Sequence, residues 1–186
     1  AALPGIESGD RHDPLGIPFQ HGPNSGADVF VPLDFIIGGP ENAGRGWRML
    51  MESLAAGRSI SLPSLAVGAA QLTSRVVSAH ALVREQFNLP IGRFEGVREI
   101  LARIAGRTHL MNAARSVTVG AVDAGEKPAV LAGIVKCYLT EGMRDVVEDG
   151  MDLRAGAGIV RGPRNILAPA HMAIPIGITV EGSNVL

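Results

Sequence analysis

The sequence predicts a mainly α protein: an antiparallel four-helix bundle preceded by the tail of a β-domain. Three observations predict it. Apolar residues recur at helical spacing through long stretches from about residue 44 onward. Before that, proline, glycine and β-branched residues crowd residues 1–40. The 186 residues are 46% hydrophobic and 19% charged, enough apolar material to bury a core, which excludes a wholly disordered chain.

Residues 1–40 carry turn signals at Leu3-Pro4-Gly5, Gly22-Pro23-Asn24 and Gly38-Gly39-Pro40. Between them, Asp28-Val29-Phe30-Val31-Pro32-Leu33-Asp34-Phe35-Ile36-Ile37 reads as a strand, placed at an edge or broken by Pro32. Residues 41–186 read as the bundle. Trp47, Leu50, Met51 and Leu54 draw a first apolar stripe. A second helix is expected from about Ser59 to Gln86, with Pro63 near its start, where a helix tolerates proline. A third sets Val97, Ile100, Leu101, Ile104, Met111 and Val117 on one face and Arg98, Glu99, Arg103 and Arg107 on the other. Asp123-Ala124-Gly125 is a stop signal. A fourth helix is expected from about Lys127 to Leu153, with Val130, Ile134, Tyr138, Val146 and Val147 inward and Pro128 in its first turn. Beyond it, the glycine-rich Ala155-Gly156-Ala157-Gly158 and the prolines Pro163, Pro169 and Pro175 read as irregular.

Composition narrows the function classes. Seventeen basic and 18 acidic residues give a net charge of -1, which provides no basic excess for nucleic acid. One cysteine, Cys137, excludes an internal disulfide framework and a cysteine-rich zinc site, and points to a reducing compartment. No apolar run is long enough to span a membrane. Ala1-Ala2-Leu3-Pro4-Gly5 lacks the features of a signal peptide, and the apolar ending at Val185-Leu186 has no closing turn. Both ends read as cut, so a piece of a longer protein is expected.

Several residues carry possible chemistry. Glu181, in Ile178-Thr179-Val180-Glu181-Gly182-Ser183, is a lone carboxylate among apolar neighbours. Burial there makes a carboxylate a stronger base, and Gly182 lets a ligand approach the backbone. From the residues alone, a solvated or N-capping glutamate is the commoner case. Gly156-Ala157-Gly158 resembles a phosphate loop, but its next glycine, Gly162, falls one place too late for the dinucleotide fingerprint; a helix cap followed by a turn fits it better. Arg58 and Arg84 end or follow helical stretches and suit either phosphate recognition or a helix C-terminus. His12, His21, His80, His109 and His171 are scattered without ligand spacing, so no metal site is expected. Cys137 reads as core.

Taken together, these segments resemble the acyl-CoA dehydrogenases, above all the large bacterial fatty acyl-CoA dehydrogenase of β-oxidation. Asp28-Val29-Phe30-Val31-Pro32 with Ile36-Ile37-Gly38-Gly39 resembles the strand leaving that family's middle β-domain. Gly44-Arg45-Gly46-Trp47-Arg48-Met49-Leu50 is similar to the opening of its C-terminal helical domain. Arg84-Glu85-Gln86-Phe87 with Ile91-Gly92 is similar to its arg-x-x-phe-gly turn. Glu126-Lys127-Pro128-Ala129-Val130-Leu131 and Ile178-Thr179-Val180-Glu181-Gly182-Ser183-Asn184 match the large bacterial branch.

The resemblance implies an acyl-CoA-dehydrogenase-type bundle and an FAD-dependent α,β-dehydrogenation of medium- to long-chain fatty acyl-CoA to trans-2-enoyl-CoA. Glu181 takes the place of the α-proton-abstracting base, and its backbone N–H helps hold the thioester carbonyl. Some relatives carry the base directly before the arginine matched by Arg58; here that residue is Gly57. Arg58 and Gly182 are implied to bind substrate, and Arg84, Gln86, Phe87, Asp152, Gly156 and Ser183 to bind FAD, partly from a neighbouring subunit. The sequence departs from the family at Asp152, where Gln is common, at Gln86, where Thr is common, and in its ala-gly-ala-gly loop. The implied partners are an electron-transfer flavoprotein and further copies of the chain. The implied location is cytoplasmic, with a peripheral place at the inner membrane face. An acyl-CoA oxidase using O2 and a non-catalytic helical scaffold are the alternatives. On its own, the piece is expected to bind FAD weakly or not at all and to associate through uncovered apolar faces.

Overall fold

The computed structural model describes residues 3–18 and 20–185. Ala1, Ala2 and Leu186, part of the terminal sequences read above for a leader and a closing turn, lie outside them. Two compact units divide the chain, one up to Ser53 and one from Leu54 onward.

The first unit holds one small antiparallel ladder. Strand β1, Ile6–Ser8, pairs with β2, Asn24–Gly26. The strand expected over residues 28–37 does not form. Pro32 supplies no N–H, and its carbonyl instead accepts the Phe35 N–H, starting a 3-10 turn at Leu33–Phe35. A second 3-10 turn follows at Pro40–Asn42.

The helices α1, Gly46–Val83, α2, Glu95–Asp123, and α3, Ala129–Arg154, dominate the chain. A one-turn α4, Gly156–Ile159, and α5, Ala168–Thr179, follow. Three expectations are corrected. The first two predicted helices are one: α1 runs for 38 residues straight through Pro63, which is fully buried. A proline in a helix interior costs a hydrogen bond, and here packing holds the helix together around it. In α3 the inward face differs from the predicted one. Val146 and Val147 are buried, but Val130, Ile134 and Tyr138 face out; Ala132, Val135, Lys136, Leu139, Thr140 and Met143 face in. On α2, likewise, Val117 is exposed and its neighbour Thr118 is buried. Finally, residues 168–179 are helical rather than irregular. Pro169 sits in the first turn, where its missing N–H costs nothing. Asn165 organises the approach: it accepts the Ala168 N–H and donates to the carbonyls of Gly158 and Val160.

The predicted stop at Asp123-Ala124-Gly125 is present. Gly125 adopts φ +87°, its N–H meets the Val122 carbonyl, and the Glu126 N–H meets that of Ala121, closing a Schellman turn. Between α1 and α2 a short hairpin pairs β3, Glu85–Gln86, with β4, Leu89–Pro90, through Phe87 and Asn88, both at positive φ.

The core of the second unit joins Val67, Ala70 and Val77 of α1, Ile104 and Met111 of α2, Leu139, Val146 and Val147 of α3, and Ile174 and Ile178 of α5. Gly150 lets α3 lie close on α1, because a Cβ there would run into Thr73 Cγ2. Arg103 grips Asp149 with two hydrogen bonds of 2.8 and 2.6 Å, fixing α2 against α3.

Candidate functional site

Helix α5 ends at Thr179, and the chain then makes a tight turn over Val180–Asn184. Glu181 and Gly182 take successive positive φ values of 59° and 89°. Glycine accepts that conformation freely, whereas glutamate is strained in it. The turn swings the Glu181 carboxylate back over α1. A Cβ built on Gly57 would lie 3.6 Å from Glu181 Oε1 and 4.0 Å from Oε2. A Cβ on Gly182 would lie 3.1 Å from Arg58 Nη2. Glu181, Gly182, Arg58 and Gly57 are therefore neighbours, although far apart in sequence. Arg58 lies inside α1 rather than at a helix end, because α1 is continuous. Glu181 is not a helix N-cap: it follows the C-terminus of α5.

Two polar atoms here are buried without a hydrogen-bond partner, Glu181 Oε2 and Arg58 Nε. Buried polar atoms are normally satisfied. A base and a cation with spare valence on one small surface suit an anionic or carbonyl-bearing ligand that loses a proton.

The sequence reading missed Lys136. Its side chain projects from α3 and is buried, with only 3% of its surface exposed. Nζ donates to the carbonyls of Ile178 and Gly182 at 2.9 and 2.8 Å, and to Asn184 Oδ1 at 2.8 Å. Three acceptors match the three N–H groups of an ammonium ion. Burial is the main cause lowering its pKa from the ordinary 10.5; Arg58 lowers it further, while Cys137, Glu181 and Glu141 act to raise it. Asn184 extends the network, donating to Thr140 Oγ1 at 2.9 Å and Glu141 Oε1 at 3.1 Å. Glu141 in turn accepts from Arg144 at 2.8 Å. The only sequence signal was a lysine at a position that the helical period shares with Ala132 and Thr140.

A second constellation lies where α1 ends and α3 gives way to α4. His80, Arg84, Gln86, Ile91, Leu153, Arg154 and residues 155–157 line a cavity of about 380 Å³. Of the residues implied to bind FAD, Arg84, Gln86 and Gly156 meet here. Arg154 Nη2 donates to the Arg164 carbonyl at 2.9 Å, while its Nε is buried without a partner. Burial, with Arg154 and Arg84 nearby, lowers the His80 pKa and favours its neutral form. Two guanidinium groups, a buried unpaired N–H and an open glycine backbone fit a pyrophosphate. The other implied contacts stand apart from the cavity lining. Phe87 is at the hairpin tip, largely exposed, edge-on to Phe94 at 6.2 Å. Asp152 is exposed, and its carbonyl accepts the Ala155 N–H. Ser183 belongs to the Glu181 turn and is half-buried.

Of the scattered histidines, His12 and His21 meet across the first unit's hairpin, with Nδ1 atoms 2.8 Å apart. Among the described residues no group of three or more His, Cys, Asp or Glu side chains could hold a metal. No described helix is long and apolar enough to cross a membrane.

Known proteins resemble the chain in sequence and in fold. Residues 44–184 match the family model for the acyl-CoA dehydrogenase C-terminal domain. Over 64 residues, 34% of this chain and 38% of the other, the sequence is 62% identical to Protein HemX of Proteus mirabilis. Over 162 residues it is 27% identical to the mitochondrial isobutyryl-CoA dehydrogenase of Dictyostelium discoideum, covering 85% of this chain and 38% of that one. The crystal structure of an acyl-CoA dehydrogenase from Geobacillus kaustophilus superposes with a TM-score of 0.86 at 22% identity, over 98% of this chain and 47% of that one, a likeness of fold. The chain thus spans less than half the length of these relatives.

Proposed function

The chain belongs to the acyl-CoA dehydrogenase family, and from that premise we propose that the protein it is part of oxidises medium- to long-chain fatty acyl-CoA to trans-2-enoyl-CoA, with Glu181 as the base. The observation that carries this reading is the Glu181 turn: a half-buried carboxylate with one buried, unpartnered oxygen, beside an arginine whose Nε is equally unpartnered.

The chemistry follows from what these groups hold and move. Glu181 takes the proton from the carbon α to the thioester carbonyl. The C–H electron pair becomes the new C=C bond as the β-hydrogen leaves with its own pair. When bound, FAD supplies the acceptor for that hydride. As the α-proton leaves, negative charge builds on the thioester oxygen, and the Glu181 backbone N–H, turned by its positive φ, is assigned to stabilise it. Arg58 is assigned to the anionic CoA end of the substrate. Arg84, Gln86, Gly156 and Arg154 would hold the FAD pyrophosphate in the cavity they line. Gly57 supports a single base on this surface, because it leaves room beside the carboxylate and brings none of its own.

The same reading assigns the electrons to an electron-transfer flavoprotein, the working form to a homo-oligomer, and the location to the cytoplasm with a peripheral place at the inner membrane face.

The test uses the full-length flavoprotein, mixed anaerobically with palmitoyl-CoA while oxidised flavin absorbance is followed. Glu181→Gln is expected to slow bleaching by about 10² to 10⁴-fold with flavin still bound. Equal rates in both proteins would remove Glu181 from the role of base. A wild type without flavin would return the chain to a scaffold role.

A further inference from the structure

We infer that Lys136 is a positioning residue for the reaction, acting through the Glu181 turn; the inference rests on Glu181 being the base. Its ammonium bridges two carbonyls, Ile178 in the last turn of α5 and Gly182 after the bend, so it clamps the chain on both sides of Glu181. What it clamps needs holding, because Glu181 is a non-glycine residue at φ 59°. The Asn184 N–H closes the same loop onto the Ile178 carbonyl at 3.1 Å, and the Asn184 side chain ties it to Thr140 and Glu141 on α3. The turn is therefore anchored to the bundle through Lys136 and Asn184, and α3 fixes where the carboxylate stands above α1.

Burying an ammonium costs its hydration, and here three acceptors offset that cost. Its use points to what the charge does. It satisfies carbonyls at the C-terminus of α5, where a cation is favoured, and it attracts the Glu181 carboxylate. The charged and titratable groups facing it are Arg58 from α1, Cys137 and Glu141 from α3, and Glu181 from the turn. Of the cations Arg58 and Lys136 near Glu181, Lys136 is the one with all three donors engaged by the turn and the end of α5.

The test compares wild type, Lys136→Met, Lys136→Arg and Asn184→Ala as full-length, flavin-loaded proteins. The anaerobic bleaching rate per bound flavin is measured against palmitoyl-CoA concentration, so that rate and affinity are read separately. Lys136→Met is expected to slow bleaching roughly 10- to 100-fold, the scale of a misplaced reacting group, with a smaller change in substrate affinity. Lys136→Arg should recover much of the rate, because it restores the charge and the donors to the same carbonyls. Asn184→Ala should slow bleaching less, because Lys136 still holds the two carbonyls. A Lys136→Met protein with wild-type rate per flavin, beside a slow Glu181→Gln, would overturn the inference and leave the proposed base standing. If Lys136→Met loads no flavin, an Asn184→Ala protein with unchanged rate overturns it. A wild type that fails to bleach overturns both readings.

Discussion

At the scale of single residues, the site depends on two successive left-handed conformations. Gly182 is the one with no tolerance for change. A methyl group there meets Arg58 Nη2 at 3.1 Å and sits on a backbone at φ +89°. Gly182→Ala is expected to cost about 1–2 kcal/mol for the backbone alone and to push Arg58 aside, so the apparent KM for acyl-CoA should rise; denaturant titration and steady-state kinetics check the two parts. Glu181 stands out in the sequence as a carboxylate followed by glycine inside an apolar run, but its assignment as base comes from the resemblance, since the residues alone favour a solvated glutamate. Lys136 does not stand out. Helical periodicity sorts residues into apolar and polar, and a lysine is placed outside by default. Only the fold shows that the turn after α5 brings two carbonyls and an amide to meet it. Arg58 stands out as a functional candidate but reads as a helix end, since Pro63 suits the first turn of a new helix and α1 instead runs on through it.

At the scale of elements, small residues decide how closely the helices approach. The reading of α3 took its large apolar residues as the inward face. The buried seam is instead made partly of Ala132, Thr140 and Gly150, whose small or polar side chains carry little hydrophobic signal. Val130, Ile134 and Tyr138, at steps of four, lie along an outward line. Two glycines on α3 separate close packing from slack. At Gly150 an added Cβ meets Thr73 Cγ2 and, at 3.3 and 3.4 Å, Leu167 and Val77. Gly150→Ala is expected to destabilise by about 1–3 kcal/mol through overpacking. At Gly142 the nearest atom is Met111 Sδ at 3.0 Å, on a side chain that can turn away. Gly142→Ala is expected to be neutral or to gain up to about 1 kcal/mol from helix propensity. Chemical denaturation of the two variants checks the contrast. The hydrophobic pattern located α2 well, through Ile104 and Met111, and the Schellman stop after it, because both depend on local chemistry. It failed at residues 28–37 and at α5. There the outcome turned on whether a proline was tolerated where it stood.

At the scale of the whole molecule, the fold class was legible because three long amphipathic stretches leave few alternatives to a helical bundle. The cavity where α1 ends and α3 gives way to α4 was legible only in pieces. Arg84, Gln86 and Gly156 were named from a resemblance, and folding brings them to one cavity lined also by His80 and Arg154. The chain spans less than half of its relatives, and large apolar side chains stand exposed on it, among them Leu110, Val117, Val130 and Tyr138. Exposed apolar surface on this scale marks contact with something else. The 186-residue chain expressed alone is expected to self-associate and to purify without stoichiometric flavin. Sedimentation velocity together with the flavin-to-protein absorbance ratio checks both, and a colourless but strictly monomeric chain would show that these faces need no cover.

The central claim is that Glu181 takes the α-proton, and isotope exchange measures that step without relying on hydride transfer. The full-length flavoprotein would be incubated in D2O with an acyl-CoA whose β-carbon is replaced by sulfur, so that no hydride can leave. Deuterium entering the α-position would be followed by mass spectrometry. The account predicts exchange with wild type and a loss of at least about 10²-fold in Glu181→Gln. Exchange at the wild-type rate in Glu181→Gln would mean that another group removes the proton, and the assignment of this site would fail.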